Sequence, residues 1–80
     1  MPTLLVQDGF RFFFYSNEGS PLEPSHVHVE HGEGVAKYWL APVQLAESVG
    51  MKAGDLRRAR AIIEANVQNF QERWDGHFHA

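Results

Sequence analysis

The sequence predicts an α+β fold, a small, mainly antiparallel sheet of four to five strands with one long C-terminal helix packed on one face. Three observations carry this. Residues 26–30 alternate strictly as His-Val-His-Val-Glu, the period of a strand with one face buried. From Ala53 to Gly76 the period changes, with Leu56, Ala59, Ile63, Val67, Phe70 and Trp74 recurring every three or four residues on one face of an amphipathic helix. Every strand-like segment precedes the helical one, so sheet and helix segregate into two layers.

Each element follows in chain order. Thr3 to Val6 is short and apolar, Gln7-Asp8-Gly9 carries turn chemistry and Phe10 to Ser16 is aromatic and β-prone, which together read as a hairpin. Asn17 to Pro24 holds Gly19, Pro21 and Pro24 and reads as an irregular loop. His26 to Glu30 is the next strand, His31-Gly32-Glu33-Gly34 a tight turn and Val35 to Leu40 the returning strand. Pro42 interrupts, Val43 to Leu45 reads as a short edge strand and Gly50 breaks the chain before the helix.

Eighty residues are expected to form one domain, residues 1–80, near the size at which a single core becomes marginal. Without cysteine there is neither a disulfide framework nor a thiolate zinc site, which fits a cytoplasmic protein and leaves His, Asp and Glu as the strong candidate ligands. No basic region leads into a long apolar one, and no run approaches the roughly 18 apolar residues of a membrane span, so a soluble chain is expected. A net charge of −3 argues against nucleic-acid binding driven mainly by general electrostatics.

Closing the second hairpin around Gly32 and Glu33 sets His26 opposite Trp39, Val27 opposite Tyr38, His28 opposite Lys37, Val29 opposite Ala36 and Glu30 opposite Val35. Val27, Val29, Ala36, Tyr38 and Leu40 then share a core face with Phe10, Phe12 and Phe14. The opposite face collects His26, His28, Glu30, Lys37 and Trp39 beside Arg11, Phe13 and Tyr15, with His26 and His28 roughly 7 Å apart along the strand. One helix covers only one face of a sheet. The second is therefore expected to be exposed, with the proline loop as its only local cover, and an exposed aromatic surface invites a partner. Another protein fits best, ahead of a second copy of the chain or single-stranded RNA.

Several segments carry a resemblance. Met-Pro-Thr at the start, Phe10 to Gly19, Pro24, His26 to Glu30 and Ala36 to Leu40 agree in order and spacing with a small bacterial family, the domain of unknown function numbered 4160, over essentially the full length. The resemblance implies a two-gene arrangement reminiscent of toxin and antitoxin pairs, with a partner from another short family, numbered 2442. One departure stands out. That family usually places a serine or threonine just before the helix, whereas Met51-Lys52-Ala53-Gly54-Asp55 offers no hydroxyl cap, so a loose first turn is expected.

Three site readings compete. His26, His28 and Glu30 have donor atoms suited to a metal, as do His77 and His79, but a strand supplies two converging donors comfortably and a closed site needs three or four. No metal and no cofactor are expected. Metal-free RNA cleavage needs a general base, a general acid and a cation, roles that His26, His28, Glu30 and Lys37 have the chemistry to fill, with Arg11 as a second cation. Partner binding through Arg11, Phe13, Tyr15 and Trp39 asks for the least coincidence and is the leading expectation. Arg57, Arg58 and Arg60 read as a solvated helix face, with Glu64 one turn after Arg60 to offset their unfavourable field.

Overall fold

A computed structural model describes residues 3–15 and 23–78. Five strands form a sheet in the order β1-β2-β3-β4-β5, namely β1 (Thr3–Gln7), β2 (Phe10–Phe13), β3 (His26–His31), β4 (Gly34–Leu40) and β5 (Val43–Val49), all antiparallel. Two helices follow, α1 (Ala53–Ala65) and α2 (Val67–Phe78). Ser16, the loop from Asn17 to Leu22 and His79 lie outside the described residues.

Turn chemistry sets the registers. Asp8 and Gly9 both take positive φ, 55° and 82°, which matches the twist of a two-residue hairpin and fixes Gln7 opposite Phe10. The second hairpin pairs His26 with Trp39, His28 with Lys37 and Glu30 with Val35, as the alternation predicts. Gly34 lies where that hairpin meets Gly50, and a Cβ there would stand 2.6 Å from the Gly50 carbonyl oxygen.

Phe10, Phe12, Phe14, Val27, Val29, Ala36, Tyr38 and Leu40 are buried together with Ala59, Ile62, Ile63, Phe70 and Trp74 of the helices. This is the expected core face. Tyr38 donates its hydroxyl to the Leu56 carbonyl at 2.8 Å, joining β4 to the first turns of α1. Burial pushes its pKa above the ordinary value near 10, and the Arg60 guanidinium offsets part of that.

The expected single helix is two. Asn66 interrupts it: its side-chain amide donates to the Ile62 carbonyl at 2.8 Å and its backbone N–H to Ile63 at 3.0 Å, closing α1, while its own carbonyl accepts from Phe70 N–H at 2.9 Å and opens α2. A straight helix from Ala53 to Gly76 would be about 36 Å long, against a longest dimension of 35 Å for the domain. The break divides the cover. Helix α1 lies against β4 and β5. Helix α2 reaches the other half of the sheet, with Phe70 5.7 Å from Phe12, Trp74 5.2 Å from Phe14, and Arg73 reaching the Leu4 carbonyl at 3.4 Å.

Strand ends also differ from expectation. The first hairpin's second strand stops at Phe13 because the chain then turns Phe14 toward Trp74 and Phe78. The edge strand runs to Val49, past Leu45, because the extra residue Ala46 forms a bulge between the pairs Tyr38–Leu45 and Lys37–Glu47 and pairing resumes beyond it. Lys52 precedes α1 with no side-chain cap, consistent with the missing hydroxyl, and Asp55 supplies the acidic group of the first turn.

Candidate functional site

On the face away from the helices, the registers line side chains up in rows that cross the whole sheet. One row is Thr3, Phe13, His28, Lys37 and Glu47. Its neighbour is Val6, Arg11, Glu30, Val35 and Val49. Cross-strand neighbours of this kind interact directly, so each row is a chain of side-chain contacts.

The polar groups within the rows are mostly paired. Arg11 meets the Glu30 carboxylate at 2.9 Å, donates to the Thr3 hydroxyl at 3.2 Å and lies over the Phe13 ring at 4.4 Å. Lys37 meets Glu23 at 2.9 Å and covers Trp39, its ammonium 4.5 Å from the ring centre. Glu23, beside Pro24, is the described part of the proline segment that reaches this face. His28 is packed among rings, 5.6 Å from Phe13, 4.5 Å from Tyr15 and 5.2 Å from His26. Glu47 has neither an ion pair nor a hydrogen-bond partner among the described residues.

A cleft of about 290 Å³ opens on this surface, lined by Phe13, Tyr15, His28, Val35, Lys37, Glu47 and Val49 among others. Tyr15, Val35 and Val49 are 42%, 46% and 71% exposed, so its rim is apolar and wet. The cleft brings together His28 and Lys37 with Phe13 and Tyr15. Arg11 and Glu30 lie one row away and are spent on each other, and Trp39 lies beneath Lys37.

Two expectations are corrected here. His26 is fully buried, not exposed by elimination: the twist at the start of β3 tips its ring against Trp74, 4.7 Å away, and Ser25 bonds Gln71 of α2 at 2.7 Å. Its Nδ1 is 2.9 Å from the Pro24 carbonyl, which can only accept, so Nδ1 carries the proton. Phe13 is 2% exposed, walled in by Arg11, Tyr15 and His28, and forms the floor of the surface, not a projecting anchor.

Among the described residues, no group of three or more His, Asp or Glu is gathered as a metal site would require. His77 packs beside Phe14 and Phe78, at 6.4 and 4.5 Å between ring centres. His31, read only as part of a turn, stacks on Phe10 at 4.1 Å, donates from Nδ1 to the Gly9 carbonyl at 3.0 Å and stands 3.9 Å from Asp55, tying the first turn to α1. Val35, Glu47 and Val49 complete the cleft and were not singled out from the sequence. The pairing of Val35 with Glu30 was a usable signal, since opposed residues share a face, whereas Glu47 and Val49 were hidden behind the bulge.

The model of the family described as Domain of unknown function (DUF4160) matches residues 9–75. The chain belongs to this family. No curated protein and no solved structure matches it. The part of this DUF4160 chain that the family model matches begins at the first turn and takes in β2 to β5, α1 and most of α2, and so includes every residue that lines the cleft. Strand β1, with Thr3 and Val6 at the ends of the two rows, precedes the match.

Proposed function

We propose that this DUF4160 domain is a binding module, one component of a toxin and antitoxin-like two-gene pair, that holds a small protein encoded by the adjacent gene on the sheet face away from its helices. The resemblance noted above suggests a partner like the family numbered 2442, and the absence of cysteine suits work in the cytoplasm. No described helix is long and apolar enough to cross a membrane. One observation carries the reading: the cleft opens on the face away from the helices, with Tyr15, Val35 and Val49 exposed beside a ring floor. Aromatic and aliphatic groups that a monomer leaves in water are what protein interfaces bury.

RNA cleavage is the second reading, favoured by His28 sharing the cleft with Tyr15, Phe13 and Lys37. Against it, the Lys37 ammonium is already neutralised by Glu23, and Glu30, a candidate acid or base, is held by Arg11 in the next row. A docking face needs neither group free.

Co-expression with the adjacent gene's product tests both. A stable complex is expected by size-exclusion chromatography with light scattering, and Tyr15→Ala or Val35→Asp should weaken it by about tenfold or more, as for central interface positions. A chain that elutes alone in the presence of that protein, or a complex indifferent to both changes, overturns the proposal. Cleavage of single-stranded RNA by the purified chain, lost in His28→Ala, would put the second reading in its place. His28 is the residue to change, because removing His26 also opens the core.

A further inference from the structure

The two edges of the sheet are not alike. Strand β1 is short, bulged between Thr3 and Leu5, and has its Leu4 carbonyl taken by Arg73. Among the described residues, strand β5 pairs on one side only, with β4. Arg60 donates to its first carbonyl, Val43, at 3.0 Å, and from Gln44 to Val49 no side chain among the described residues bonds its backbone. Alternate N–H and C=O groups along that stretch face outward, and the stretch contains neither proline nor lysine, two common means of blunting an edge.

The side chains on β5 state what would suit that edge. On the open face Glu47 ends a row in which Lys37 is satisfied by Glu23, so Glu47 is a carboxylate beside apolar and aromatic groups without a cation of its own. Val49 ends the other row, next to Val35, and is largely exposed. Each row therefore stops one strand short of a natural partner, a cation beyond Glu47 and an apolar group beyond Val49. A second copy of the chain would not supply the cation through the same edge, because Val43 to Val49 contains none.

Resting on the reading of this face as a docking surface, we propose that β5 accepts an extended segment of a partner protein as a sixth antiparallel strand. That segment carries a lysine or arginine opposite Glu47 and, two residues away, an apolar side chain opposite Val49. The backbone of the edge supplies affinity, and the alternating side chains supply selectivity. The bulge at Ala46 confines regular pairing to Glu47 and the residues after it on one side and to Val43 through Leu45 on the other, so the recognised segment is short.

Two synthetic peptides test this, Thr-Val-Thr-Arg-Thr-Val-Thr and the same sequence with glutamate in place of arginine, titrated against the full chain with NMR and amide hydrogen exchange. The arginine peptide should bind about tenfold more tightly than the glutamate one, since an attractive cross-strand pair replaces a repulsive one. Outward-facing amides between Gln44 and Val49 should exchange more slowly when it binds, and Glu47→Lys should reverse the preference. Equal affinity for both peptides, or no protection on β5 with either, overturns the proposal. So does protection of β5 in the free chain together with a mass that rises with concentration, because a second copy then occupies the edge. If Tyr15→Ala weakens the complex with the adjacent gene's product while Glu47→Lys leaves it unchanged, the docking face stands and strand addition falls.

Discussion

The two faces of one sheet are built on opposite principles. Beneath the helices, Phe12 meets Phe70 at a tilt and Phe14 meets Trp74 edge to face, and among the described residues no buried side-chain polar atom lacks a hydrogen-bond partner. On the other face, two rows of paired charges and rings run across five strands, and one of them ends in the exposed Val6 and Val49. The first face decides whether the chain folds. The second, above its buried Phe13 floor, holds its exposed groups outside that core, the condition a docking surface requires. The sharpest test sets Trp74→Ala against Tyr15→Ala. Loss of the buried indole should cost about 3–5 kcal/mol, a large share of the roughly 4–12 kcal/mol expected for a domain this size, whereas Tyr15→Ala should cost about 1 kcal/mol or less. Urea unfolding curves measure both, and equal losses would erase the distinction between the faces.

His26 is where the distinction blurs. By alternation it belongs with His28, but its ring is buried against Trp74 and its Nδ1–H is bound to the Pro24 carbonyl. Changing it to alanine should cost about 2–3 kcal/mol, from a cavity and a lost buried hydrogen bond, while His28→Ala should stay within about 1 kcal/mol. If the two histidines cost the same, strand alternation alone would describe this face and the tilt toward α2 would carry no energy.

Tyr38 tests the covered face by pH. Its folded pKa is raised by burial, so below about pH 10 the folded and unfolded chains both hold the phenolic proton and the group adds no pH dependence. As pH rises past the unfolded value, the unfolded chain releases that proton first, and stability falls until the folded pKa is also passed. Tyr38→Phe should remove this alkaline loss. At neutral pH it should cost about 1 kcal/mol for the bond to the Leu56 carbonyl. Stability followed from pH 8 to 11 in both proteins separates the effects, and a wild-type curve no steeper than that of Tyr38→Phe would mean the phenol is not shielded.

Most of the covered face was legible in the sequence, because hydrophobic period and turn residues act locally. The alternation at Val27 and Val29, the Asp-Gly and Gly-Glu turns and the stripe from Leu56 to Trp74 each follow from spacing alone. The helix break was not legible. Asn66 sits half-buried at the edge of that stripe, between Ala59, Ile63 and Phe70 on the helical pattern, and whether its amide caps α1 or points to water depends on the space the sheet leaves for a long helix. The cleft was half legible. His28, Lys37, Phe13 and Tyr15 follow from the register, but Glu47 and Val49 reach the same face only because the bulge at Ala46 resets the alternation, and a bulge at an alanine between Leu45 and Glu47 has no clear signature in one sequence. The burial of His26 depends on a helix 48 residues further along the chain placing Trp74 over it, which no local pattern encodes.

The smallest expected effect concerns the ion pair at the heart of the open face. Arg11 and Glu30 face each other across β2 and β3 at 2.9 Å, and the guanidinium also rests on Phe13, yet both side chains keep substantial contact with water. Solvent screening limits such a pair to about 0.5 kcal/mol of coupling. The ring contact gives the arginine a second role that the glutamate lacks, so Arg11→Ala should cost more than Glu30→Ala, by several tenths of a kcal/mol. A double-mutant cycle isolates the coupling, which should shrink when salt is raised from 0.05 to 0.5 M because the Debye length contracts. A coupling well above 1 kcal/mol and insensitive to salt would mean that this row is as shielded as the core. The open face would then help to hold the fold and would no longer be free to serve a partner alone.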